Sequence, residues 1–113
     1  MRGWPQRLPF RRTLGLALYR AGRYAEAAAE LESHIPRDPD EAGLDGLALA
    51  MCRRRQGRPA AARAALAEAL RWRAARTDLR SDRAAAFDRL LREARSVVNE
   101  ALPDLPADVF ARE

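Results

Sequence analysis

The sequence contains no lysine, one cysteine and one histidine, and each shortage removes a class of chemistry. Without lysine the chain cannot form a Schiff base or supply the lysine of a phosphate-binding loop. The lone Cys52 excludes an internal disulfide, and together with the lone His34 it leaves no ligand set for zinc and no Cys-His catalytic pair. We therefore predict a protein that is not an enzyme and needs no metal ion or cofactor.

Long apolar runs and strand-forming residues are also scarce. No apolar stretch approaches the roughly 18 to 20 residues that a membrane span needs, and residues 1–12 lack the apolar core of a secretory signal. These shortages predict a cytoplasmic protein that does not contact a membrane. Arginine (21 residues), alanine (25) and leucine (15) dominate the 113 residues. Because these residues favour helices, the composition predicts a single all-α domain.

The positive charge is concentrated in the middle of the chain. Residues 1–50 have no net charge, residues 51–80 carry nine arginines and two acidic residues, and residues 81–113 have a net charge of −2. A basic segment of this kind can attract nucleic acid or an acidic protein, or it can be a solvated helix face. Nucleic-acid binding by the arginine-rich residues 51–80 is therefore the alternative to protein binding.

Helical spacing of apolar residues and the placement of glycine and proline predict five helices. They are expected over residues 12–21, over about eleven residues from Tyr24, from a cap at Asp38 or Asp40 to about residue 56, and over residues 59–74 and 81–101. Residues 1–10 are predicted to be irregular, and Gly22 and Gly57 are predicted to end helices in the left-handed conformation. Within the third helix, Gly43 and Gly46 predict the close approach of a neighbouring helix.

The helix starts have candidate capping residues. Asp38 or Asp40 is predicted to accept from the free amides of the third helix, and Ser81 from those of the fifth. The fifth helix contains no glycine and is predicted to cover the end of the helical array.

The chain contains an internal repeat. The segments LGLALYRAGRYAEAAAELESHI and LALAMCRRRQGRPAAARAALAEAL align with Gly22 on Gly57, a period of 35 residues. In this register Leu31 corresponds to Leu66, and small residues also recur at matching positions. Such recurrence is typical of helical hairpins that stack on one another.

Position by position, the repeat resembles the tetratricopeptide repeat. The first unit matches the family pattern at Leu14-Gly15, Ala17, Gly22, Tyr24, Ala27 and Leu31, with His34 in place of the last alanine. In the second unit Ala50 replaces the first glycine and Pro59 the tyrosine, while Gly57, Ala62, Leu66 and Ala69 agree.

The resemblance covers residues 9–76 and implies two antiparallel hairpins over residues 11–76, stacked as a short solenoid. A capping helix would occupy residues 77–102, and residues 103–113 would form a tail. A weaker similarity connects this order of segments to the C-terminal repeat segments of large bacterial multidomain signalling proteins.

The resemblance also implies a concave groove that holds a peptide or a partner helix. The family's groove positions fall on Arg12, Leu16, Tyr19, Arg20, Leu47, Met51, Arg54 and Arg55. Such a surface is apolar and basic, so it suits a protein or peptide partner with an apolar anchor and carboxylates. In the alternative interpretation Leu16, Leu47 and Met51 are buried against the terminal helix or a neighbouring domain. Because solenoids usually need about three repeats, self-association or an array-extending partner is also expected.

Three residues have simpler structural interpretations. Cys52 occupies an alanine position and is predicted to be a small buried residue. Trp72 is predicted to anchor packing, and His34, near a helix end, to stabilise the last carbonyl groups of its helix. The sequence thus predicts a non-catalytic scaffold for protein–protein interaction.

Overall fold

The computed structural model describes residues 8–37 and 39–99, and they form helices and turns without a strand. The helices are α1 (Leu8–Arg20), α2 (Tyr24–His34), α3 (Ala42–Arg55), α4 (Pro59–Ala74) and α5 (Ser81–Val98), with short 3-10 turns at Ile35–Arg37 and Pro39–Glu41. The prediction of an all-α fold with five helices is confirmed over these ranges. None of the helices there is both long enough and apolar enough to cross a membrane.

The two predicted glycine turns are equivalent in geometry. Gly22 and Gly57 have φ values of +83° and +79°, in the left-handed region. The N–H of Gly22 donates to the carbonyl of Tyr19 at 3.0 Å, and the N–H of Gly57 donates to the carbonyl of Arg54 at 3.0 Å. In both turns the following N–H closes a second bond of 2.9 Å to a carbonyl five residues back. These paired bonds satisfy carbonyls that a helix end leaves open, so both turns end a helix in the same way.

Helices α3 and α4 approach closely, as the glycines of α3 predict. The ring of Trp72 lies against the backbone of Gly43, where a Cβ atom would overlap it. At Gly46 a Cβ atom would lie 3.5 Å from that of Ala69, an ordinary contact. The indole N–H of Trp72 donates to the carbonyl of Pro39 at 2.9 Å. Trp72 is therefore a packing anchor, as predicted.

The same tryptophan joins α4 to the start of α5. Its ring stacks on Phe87 with a centroid distance of 5.8 Å and an interplanar angle of 22°. The Arg76 guanidinium lies 4.7 Å from the ring centroid. Phe87 is 1% exposed, so this contact belongs to the core.

Helix α5 packs mainly along α3 and makes a smaller contact with α4. It contributes Phe87, Ala94 and Val97 to the core that also contains Leu47 and Met51 of α3. Its last turn lies beside the end of α3, because the carbonyl of Val98 accepts from Arg54 Nε at 3.3 Å. Thus α5 covers α3, the first helix of the second hairpin, more than it covers α4, the second helix of that hairpin.

Two helices begin elsewhere than predicted. Helix α1 starts at Leu8, so residues 8–10 of the predicted irregular segment are helical, since a proline such as Pro9 is tolerated in a first turn. Residues 1–7 lie outside the described ranges. Helix α3 starts at Ala42, and its N-cap residue Glu41 makes no side-chain capping bond. Asp40 pairs instead with Arg76 at 3.6 Å.

Of the other boundary predictions, some concern residues outside the described ranges and one is wrong. Asp38 lies outside the described residues, as do residues 100–113, which include the end of the predicted capping helix and the tail. Ser81 is the first helical residue of α5 and does not cap it. Its N-cap is Arg80, which makes no side-chain capping bond.

We predict that a glycine-to-alanine substitution affects stability differently at the two glycines of α3. Gly43→Ala should lower the free energy of unfolding by about 1–3 kcal/mol, because the new methyl group must displace the Trp72 ring. Gly46→Ala should leave stability unchanged or raise it by up to about 1 kcal/mol, because the methyl group has room and alanine favours helix. Urea unfolding followed by circular dichroism measures both, and equal losses would contradict this account.

Candidate functional site

The structure separates the predicted groove residues into two groups. Leu47 and Met51 are completely buried, so their prediction as lining of an accessible groove is corrected. The reason is the position of α5, which packs on this face of α3 as in the alternative interpretation. Leu16 is partly buried against the same core, and the side chain of Arg12 lies outside the described part of the chain.

Four other polar members of the set, Tyr19, Arg20, Arg54 and Arg55, lie at the C-terminal ends of α1 and α3. Tyr19 is 8% exposed and belongs to the core, so its prediction as lining of an accessible groove is also corrected. We call the three arginines Arg20, Arg54 and Arg55 the basic rim. Arg55 Nε donates to the hydroxyl of Tyr19 at 3.3 Å, which connects α3 to α1. Arg54 donates to the end of α5, as described above. The basic rim therefore lies where three helices meet.

An acidic residue of α5, Glu93, contacts Arg20 of the basic rim, and no pattern in the sequence singled it out. Two nitrogens of Arg20 donate to the carboxylate oxygens of Glu93 at 2.9 and 3.3 Å. This hydrogen-bonded carboxylate raises the pKa of the Arg20 guanidinium above its usual value. The side chains of Arg20 and Glu93 are 57% and 36% exposed. Ion pairs with this degree of exposure contribute little stability.

A shallow depression lies at the same end of the molecule as the basic rim. Its volume is about 480 Å³, and its lining comprises Gly22, Arg23, Tyr24, Ala25, Glu26 and Gln56. Gln56 directly follows Arg55 in the chain, and the ring centroids of Tyr24 and Tyr19 are 5.5 Å apart.

Within the arginine-rich residues 51–80, on which the nucleic-acid alternative rests, Arg53 and Trp72 make contacts inside the protein. Arg53 forms an ion pair with Glu32 and donates to Gln56 Oε1 at 3.1 Å. Its burial lowers the pKa of the guanidinium. The ring of Trp72 packs against Gly43, as described above, and is only partly accessible for stacking on a base.

The buried pair of His34 and Asp45 was not predicted. His34 Nδ1 lies 2.8 Å from Asp45 Oδ2, and the two side chains are 1% and 0% exposed. The prediction that His34 stabilises the carbonyls at its helix end is wrong, because its ring reaches α3 instead. An isolated carboxylate within the apolar sequence of α3 was the available signal.

Cys52 is completely buried, as predicted for a residue at an alanine position. Desolvation raises the pKa of its thiol to about 11. At neutral pH the side chain therefore stays a thiol, which is a poor nucleophile.

Elsewhere in the described ranges, no three side chains of the types that ligate metals lie close enough to hold an ion. No protein-family model, curated protein or solved structure matches the chain. The resemblance to tetratricopeptide repeats therefore stays a prediction.

We predict that Asp45→Ala lowers the free energy of unfolding by about 3 kcal/mol or more, because it removes the partner of a buried histidine. Asp45→Asn should cost less, about 1 kcal/mol, because the amide oxygen still accepts from the ring N–H. The exposed Asp88→Ala on α5 is the control and should change stability by less than about 0.5 kcal/mol. Chemical denaturation gives all three values, and a loss for Asp45→Ala no larger than the control's would contradict a stabilising pair.

A second prediction concerns the thiol. Cys52 in the native protein should react with a disulfide reagent only as fast as the molecule opens, because the group is buried and protonated. Adding denaturant should speed the reaction by orders of magnitude. Fast labelling of the native chain at neutral pH would show that the site is accessible.

Proposed function

We propose that this chain is a non-catalytic protein-interaction module whose basic rim binds an acidic peptide or partner helix. The observation that carries the proposal is that Arg20, Arg54 and Arg55 lie at the ends of two helices and that each donates to a group of a neighbouring helix. Arginine is among the residue types that dominate binding energy at protein interfaces. A planar guanidinium also recognises carboxylates through two parallel hydrogen bonds.

The Glu93 carboxylate is an internal example of such recognition. It already accepts two hydrogen bonds from the guanidinium group of Arg20. A partner carboxylate would take the place of Glu93, and an apolar side chain of the same partner would enter the depression beside Tyr24. The bound segment would therefore lie across the end of the helices.

The equivalent turns at Gly22 and Gly57 support a further part of the proposal, in which the two hairpins stack as a tetratricopeptide-like solenoid. In this arrangement α1 and α3 would form its concave side, and α5 would fill the middle. Only the end of the groove would stay open to a partner. A single buried cysteine is compatible with the reducing cytoplasm, which we propose as the compartment.

The proposal is tested with peptides selected on the wild-type chain from a display library. We expect them to be rich in aspartate and glutamate and to contain an apolar anchor. Arg20→Glu and Arg55→Glu should each weaken binding of a selected peptide about tenfold, or about 1.4 kcal/mol, because each replaces a favourable charge by a repulsive one. Fluorescence anisotropy measures the affinity, and circular dichroism confirms that each variant is folded.

Arg37→Glu provides the matched control, since it makes the same charge change on the exposed turn after α2, at the other end of that helix. Its affinity for the peptide should stay near the wild-type value. Peptides that bind all three variants equally would contradict the proposal. A single-stranded oligonucleotide that displaces the peptide, and binds Arg37→Glu as weakly as the rim variants, would favour the nucleic-acid alternative.

A further inference from the structure

The contact between α2 and α3 is the place where the two hairpins meet. On the α3 side, Cys52 is completely buried. Two polar pairs cross the contact, one between Arg53 and Glu32 and the other between His34 and Asp45. The chain therefore contains one complete contact between two hairpins. The 35-residue register identifies the positions on α1 that correspond to α3, and the positions on α4 that correspond to α2.

Helix α1 carries an uncovered counterpart of the α3 side. In the register Cys52 corresponds to Ala17, which is exposed. Leu14 lies one turn earlier and is 48% exposed. Among the described residues it is the one large apolar side chain that is exposed. A helix face that is buried in the second hairpin is thus accessible in the first.

Helix α4 carries the counterpart of the α2 side. Ala28 and Leu31 are 2% and 0% exposed in α2. Their counterparts in α4 are Arg63, which is exposed, and Leu66, which is partly exposed. Because α5 lies mainly on α3, it leaves this face of α4 incompletely covered. Within the described ranges, residues equivalent to both halves of the hairpin contact are therefore present a second time and are exposed or partly exposed, on the first and the last helix of the repeat.

One polar pair of the contact has apolar counterparts on these two faces. The pair of Glu32 and Arg53 corresponds to Ala67 on α4 and Leu18 on α1. Arg53 is 14% exposed and Glu32 is 49% exposed, so loss of the glutamate alone would leave a largely buried guanidinium without this partner, which is unfavourable. In the counterparts both charges are absent, and a small apolar residue corresponds to the glutamate and a large one to the arginine.

We propose that this chain self-associates head to tail, with α4 of one copy packed on α1 of the next, and that this junction repeats the α2–α3 contact. The inference goes beyond the proposed function, since the junction uses neither the basic rim nor its partner. Because the two faces are different surfaces, the contact is heterologous and leaves a free face at each end of every assembly. Assemblies should therefore grow beyond dimers as concentration rises.

The test uses two variants that block opposite faces. Ala17→Glu blocks the α1 face at an exposed position, and Ala67→Glu blocks the α4 face at a position where α2 carries Glu32. Sedimentation velocity should show that the mass of the wild type increases with concentration, while each variant alone stays at the mass of a single chain. An equimolar mixture of the two variants should form a dimer and stop there, because each copy offers only one intact face.

Ala85→Glu, at an exposed position of α5, is the control and should associate like the wild type. Circular dichroism checks folding, and Arg63→Glu replaces Ala67→Glu if that variant is unfolded. A wild type that stays monomeric at every concentration would overturn the proposal, as would a mixture that fails to dimerise. Dimers of the α4 variant alone would show a symmetric contact through α1 and would also overturn it.

Discussion

Helix α3 must pack against α2, α4 and α5 at the same time, and the rest of the structure depends on this requirement. The residues on its different sides therefore differ in size. Gly43 and Gly46 face α4, where Gly43 leaves room for the ring of Trp72 and Gly46 for the backbone near Ala65 and Ala69. Asp45 faces α2 as one half of a buried polar pair. The large Leu47 and Met51 lie in the core to which α5 contributes. Since each side is filled by a different helix, few positions of α3 tolerate a change in volume.

The sequence predicted the local features of this arrangement well. Gly22 and Gly57 could be assigned to left-handed turns because glycine adopts that conformation without steric cost. Gly43 and Gly46 indicated close helix packing because glycine inside a helix is unfavourable unless another group needs the space. These inferences required only residues near one another in the chain, and the structure confirms them.

Features that depend on distant residues were not predictable in the same way. Whether Leu47 and Met51 line a groove or the core depends on where α5 lies, and helical spacing fixes only which face of α5 is apolar. His34 and Asp45 are partners because two helices meet there, and neither residue alone indicates the other. At the candidate site, Arg20 could be named from the repeat, whereas Glu93 belongs to a helix outside it.

The path of the chain has a consequence for how the molecule assembles. Helices α1 to α4 contact their neighbours in sequence, so each pairing closes a short loop at small entropic cost. Contacts of this local kind form quickly. Helix α5 differs, because it must fold back past α4 to reach α3 and needs a surface that the other helices have already built. Until it docks, Leu47 and Met51 face water, and in this interval a newly made chain is most prone to aggregate.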